Sequence, residues 1–108
     1  MRRVLEINDW LLPEELAVDG ATVLVLFHRS ERGPAFGDFA AAAAQHGGNA
    51  RFLRIDVDEN PSVRKDHRLR TLPCAVLFVS GKEVARLSGS VGGPAISELL
   101  ARRPTSSP

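Results

Sequence analysis

The stretch Thr22-Val-Leu-Val-Leu-Phe27 constrains the fold of this chain more than any other segment, because it is apolar or β-branched throughout and has the length of one strand. A half-exposed strand alternates apolar with polar residues; one that does not alternate is covered on both faces, as at the centre of an α/β sheet. With 108 residues, 44% of them hydrophobic, the chain has room for one core and no second domain. Residues 1–103 are therefore expected to form a single domain, and Pro104 to Pro108, with little to bury, a flexible tail.

The flanking segments extend this pattern. Val4 to Ile7 predicts a short first strand, and Asn8 or Asp9 an N-cap for a helix from Trp10 to about Leu16, interrupted near Pro13. Pro34 suits the first turn of a second helix, where a missing N–H costs nothing. Phe36, Phe39, Ala40 and Ala43 would give that helix one apolar face, and His46 with Gly47-Gly48 would end it. Arg51 to Val57 predicts a strand, and Asn60 an N-cap with Pro61 opening a helix to about Arg68. Ala75 to Val79, the turn Ser80-Gly81 and Glu83 to Leu87 predict an antiparallel hairpin. After Gly92-Gly93-Pro94, a last helix carries Ile96, Leu99 and Leu100 on one face. The order β-α-β-α-β-α-β-β-α predicts an α/β fold, a mixed central β-sheet with helices on both faces.

Fourteen Lys and Arg against thirteen Asp and Glu leave a formal charge of +1, which does not point to nucleic acid. The distribution is uneven. Arg29, Arg32, Arg64, Lys65, Arg68 and Arg70 fall in two short segments, read either as a local basic patch or as scattered solvated side chains. Glu6, Asn8 and Asp9 interrupt any apolar signal segment, and the run Val23 to Phe27 is far short of the ~20 residues that span a bilayer. With one cysteine, Cys74, a cytoplasmic location without membrane contact is expected. His28, His46 and His67 lack metal-ligand spacing, so no metal and no cofactor is expected. Asp56, Asp58 and Glu59 read as a strand exit and helix cap rather than as paired catalytic carboxylates.

Five segments in this order resemble the thioredoxin family over roughly residues 4 to 102: Val23 to Phe27; Gly33-Pro34; Ile55-Asp-Val-Asp-Glu-Asn-Pro61; Arg70-Thr-Leu-Pro73; and Val76 to Val84. The resemblance implies a thioredoxin-like fold, a cis Leu72-Pro73 bond facing the active-site loop, and a groove there that holds an extended peptide. It also marks departures. Arg32-Gly33-Pro34-Ala35 stands where the family carries Cys-Gly-Pro-Cys, Leu26 where it carries a buried aspartate, and His28 where an aromatic residue is common. Disulfide exchange by two thiols needs one thiolate to attack and a second to resolve, and this chain has a single sulfhydryl.

The expected function is therefore binding, as an adaptor or chaperone for a protein or extended peptide, by a monomer or weak dimer in the setting of cell redox homeostasis. His28, Arg29, Arg32, Gly33, Pro34, Arg70, Leu72 and Pro73 are the expected contacts. Arg32 admits three readings: a side chain turned to solvent, an anion site shared with Arg29 and the helix amides near Ala35, or a salt bridge to Glu31 or Asp38. His28 reads as a solvated loop residue or as a general base or partner contact. Cys74 reads as a small buried residue or as a monothiol forming mixed disulfides, and the latter is the enzymatic alternative.

Overall fold

The computed structural model describes residues 4–29, 35–48, 50–89 and 92–102. The chain runs β1 (Leu5–Ile7), α1 (Leu12–Leu16), β2 (Thr22–His28), α2 (Ala35–His46), β3 (Arg51–Asp56), α3 (Ser62–Asp66), β4 (Cys74–Val79), β5 (Lys82–Ser88) and α4 (Gly93–Ala101). The strands form one sheet in the order β1-β3-β2-β4-β5. β2 lies at its centre, parallel to β3 and antiparallel to β4, which is why its sequence is apolar without alternation.

Successive β2 side chains feed two cores. Val23, Val25 and Phe27 pack with Leu12 and Leu16 of α1 and Val63 of α3 on one face. Leu24 and Leu26 pack with Phe39, Ala42 and Ala43 of α2 and with Ile96, Leu99 and Leu100 of α4 on the other. Each fully buried leucine or phenylalanine contributes about 1.5–3 kcal/mol relative to exposure, so the two layers are the main source of stability.

Local boundaries differ from the sequence expectations for identifiable reasons. The buried stripe of α2 is Phe39, Ala42 and Ala43, whereas Ala40 is exposed, since alanines along the whole helix leave the stripe's phase open. Pro13 opens α1 rather than interrupting it. Asn8 arranges this: its Oδ1 accepts the Trp10 and Leu11 amides, closing a turn ahead of the helix. Asn60 does not cap α3, which starts at Ser62 and ends at Asp66. Its Oδ1 instead accepts the Asp9 amide at 3.0 Å, while its Nδ2 donates to the Asp56 carbonyl. Asp56, also buried, accepts the amides of Asp58 and Glu59. These bonds tie the β1–α1 and β3–α3 connections together. The expected C-terminal tail lies outside the described residues.

Two further features matter below. The C-terminus of α3 closes with Leu69 N–H on the Arg64 carbonyl and Arg68 N–H on the Lys65 carbonyl, a Schellman motif in which Arg68 takes the left-handed position at φ 54°. Along β5, Leu77 faces Ala85 but Phe78 faces Glu83, leaving Val84 as the extra residue of a β-bulge. Among the described residues no helix is long and apolar enough to cross a membrane.

Candidate functional site at the Pro73 end of the sheet

Strand register brings His28 and Cys74, the residue after Pro73, to one margin. Phe27 pairs with Cys74 and His28 with Asp56, so the end of β2, the end of β3 and the start of β4 coincide. The carboxyl ends of parallel strands are where α/β sheets place ligands. Arg29, Leu72, Pro73 and Asp58 all adjoin this margin, and the Leu72-Pro73 bond is cis. The Pro73 carbonyl accepts the Gly89 amide at 2.9 Å, anchoring the loop to the residue that follows β5, the second strand of the hairpin.

The individual residues occupy distinct environments. His28 is not a solvated loop residue; it ends β2, is 6% exposed, and its Nδ1 lies 2.7 Å from the Arg29 carbonyl. The strand's apolar run extends one residue further than its composition suggests, because the His28 carbonyl continues the ladder by accepting Val57 N–H. Arg29 is exposed and lies 3.7 Å from the Asp58 carboxylate, a surface pair of the kind that contributes at most about 1 kcal/mol. Leu72 is half-buried against the first core, and Arg70 is exposed. Arg32, Gly33 and Pro34 lie outside the described residues, as does Glu31. Leu26, where the family resemblance places a carboxylate, is 1% exposed within the α2–α4 core and stands opposite Arg54 of β3, which pairs with Glu6.

Cys74 is 1% exposed, packed in the first core with its sulfur 3.5 Å from the Ser88 hydroxyl. A thiol so enclosed meets neither solvent nor the open, electropositive surroundings that activate a thiolate. Among the described residues no group of His, Cys, Asp and Glu could hold a metal ion.

His67 sits between Phe27 and Phe78, with ring centroids 5.3 and 5.7 Å away, beside a hollow of about 360 Å³ lined also by Leu12, Pro13, Leu16 and Asp66. Burial holds its pKa below the usual histidine value; Asp66 and Glu83 oppose that shift and Arg86 adds to it. The unfolded chain then binds the proton more readily than the fold, so this contribution to stability is present above pH ~6.5 and is lost as pH falls through the lower folded value. Urea midpoints measured at about pH 7 and pH 5 should accordingly fall on acidification, and the fall should shrink in His67→Phe. An undiminished fall in that variant would assign the dependence elsewhere.

Arg86 reaches from β5 to the same place. Its guanidinium donates to the His67 and Arg68 carbonyls and to both carboxylate oxygens of Glu83. It thus satisfies carbonyls just beyond the C-terminus of α3, where a cation is favoured. Hydrogen bonding from Arg86 holds the Glu83 carboxyl below the ordinary range. Nothing in the sequence pattern marked this contact, since it joins side chain to backbone across 18 and 19 positions.

The β1-β3-β2-β4-β5 sheet, with α1 and α3 on one face and α2 and α4 on the other, defines a thioredoxin-fold α/β domain. Solved structures agree: chloroplastic thioredoxin z superposes with a TM-score of 0.80 at 26% identity over 94% of either chain. A cysteine-to-serine variant of Entamoeba histolytica thioredoxin gives 0.78 at 26% identity, over 91% of this chain and 97% of that one. In sequence, Staphylococcus aureus thioredoxin is 33% identical over 58 residues, and Nostoc sp. thioredoxin 1 is 29% identical over 58 residues. These matches cover 54% of this chain, and it spans about half the length of the curated relatives it matches, 56% and 54% respectively. No protein-family model matches the chain. The chain thus has the thioredoxin fold and is similar in sequence to thioredoxins, and with one cysteine it has no Cys-x-x-Cys dithiol.

Proposed function

We propose that this protein uses the thioredoxin scaffold to bind a protein or extended peptide partner beside the Pro73 loop, as an adaptor or chaperone, and does not catalyse dithiol–disulfide exchange. The observation that carries this reading is the pairing of an intact fold with a single cysteine buried at 1% exposure. Thiol exchange needs an accessible thiolate and a resolving partner. An extended segment can instead be held by main-chain hydrogen bonds at a sheet margin, with side chains of the surrounding loops giving selectivity. Arg29, Arg32, Arg70 and Leu72 would supply those contacts, and Arg32 an anchor for an anionic group.

Two measurements test this. Insulin reduction with dithiothreitol should proceed no faster with the protein than with the reductant alone, and iodoacetamide should label native Cys74 far more slowly than the urea-unfolded chain. Rapid native labelling together with turnover abolished in Cys74→Ser would establish the monothiol enzyme instead. Capture from cell extract should lose partners in Arg32→Glu and in Leu72→Ala; retention of every partner by both variants would remove the site from this margin.

A further inference from the structure

The connection from β3 to β4 carries Arg64, Lys65, Arg68 and Arg70, all exposed, with Asp66 as the only acid between them. Residues 64–70 hold a formal charge of +3 with His67 neutral, whereas the whole chain holds +1, so the remainder is at −2. None of the four cations forms an ion pair among the described residues; the ion pairs given by the structure use Arg29, Arg51, Arg54 and Arg86. A solvated positive cluster on an otherwise slightly negative molecule has few internal means of neutralisation.

Arg68 adds an independent observation. It occupies the left-handed position of the Schellman motif at φ 54°, where glycine is the usual residue and an L side chain costs roughly 1 kcal/mol. Its amide and carbonyl both serve the fold, through Lys65 and Arg86, and glycine would make the same two bonds. The side chain itself is exposed, so the fold gains nothing visible from a guanidinium there. The chain carries a backbone cost that favours glycine while presenting an exposed cation on the connection that leads to Pro73.

We infer that the partner held at this margin is an acidic extended peptide, whose carboxylates face Arg64, Lys65, Arg68 and Arg70; the inference rests on the groove reading above and names its partner class. A nucleic acid fits less well. Duplex DNA presents a charge every ~1.7 Å along its axis and calls for a longer basic track than one short connection, and the remainder of the chain would repel it. Trp10, the described aromatic among the exposed large hydrophobics, lies on the β1–α1 connection, and the ring within the cluster, His67, is half-buried between Phe27 and Phe78.

Fluorescence anisotropy of a labelled peptide of alternating Glu and Thr, beside its Gln-Thr counterpart and a labelled single-stranded oligonucleotide, tests this. The acidic peptide should bind most tightly and weaken about tenfold between about 0.05 and 0.3 M salt. Arg68→Gly should raise the melting temperature yet weaken the acidic peptide about threefold, and Arg70→Gln should weaken it similarly. A gain in stability with a loss in binding cannot come from misfolding. Equal, salt-insensitive binding of both peptides would overturn the acidic preference while leaving the groove reading in place. Tight acidic binding unaffected by Arg32→Glu and Leu72→Ala would keep the basic cluster and remove the groove. Tighter binding of the oligonucleotide, or no binding by any probe, would overturn the inference.

Discussion

Leu26→Asp should cost at least about 4 kcal/mol at pH 7, enough to unfold much of a domain whose total stability is of order 5–15 kcal/mol. Leu26 is 1% exposed in a cluster with Leu24, Phe39, Ala75, Leu77 and Ile96, none of which can hydrogen-bond a carboxylate, and its register partner on β3, Arg54, is already paired with Glu6. The substitution both removes a packed side chain and buries a charge whose neighbouring cation, Arg54, is already engaged by Glu6. Desolvation raises the new carboxyl's pKa in the fold above its unfolded value near 3.9, so the fold binds the proton more readily. The deficit relative to the native chain should therefore narrow as pH falls from about 7 to 5, and Leu26→Asn, which cannot ionise, should show no such recovery. Urea unfolding followed by circular dichroism measures both. Native-like stability of Leu26→Asp at pH 7 would mean that the α2–α4 core admits water or a partner at this point.

The second large effect is expected at the hairpin turn. Gly81 has φ 81°, and a Cβ added there would sit 2.9 Å from the backbone oxygen of Leu16. The left-handed conformation alone costs a non-glycine residue about 1–2 kcal/mol. The contact adds to this, because the obstacle is the backbone of α1 and cannot rotate away. Gly81→Ala should lower stability by about 2–4 kcal/mol. Gly20→Ala provides the comparison: its φ is 77° with nothing within 4 Å of the added carbon, so it should show the conformational cost alone. Equal losses at the two positions would show that α1 yields at no cost. The hairpin turn would then not hold α1 against the sheet beside His67.

The central strand and the element order were legible because they rest on strong local patterns. An apolar run such as Val23 to Phe27 has one stable use, and Ser80-Gly81 between two strand segments has one geometry. Helix phase in 40–44 was not legible, since five consecutive alanines satisfy any face. Asn60 followed by Pro61 looks like a cap in sequence, yet its partner, Asp9, is 51 positions away. Interactions of that span leave no local trace. At the candidate site the sequence showed the missing thiol pair, and the expected cis Leu72-Pro73 bond is present. It did not show that His28 is buried, because its burial follows from its place in the β2–β3 ladder. Nor did it single out Arg68, whose distinction is a backbone conformation rather than a motif.

The bulge at Val84 has a consequence for how this chain behaves in the company of its own kind. A sheet with exposed edge strands risks pairing with its own copies, strand by strand, into growing ribbons. The β5 margin resists this: the extra residue interrupts the regular spacing of its outward amides, and Lys82, Glu83 and Arg86 put charges along it. The opposite margin, β1, is only three residues long. Both sides of the sheet thereby resist the strand-by-strand addition that would lead to polymerisation.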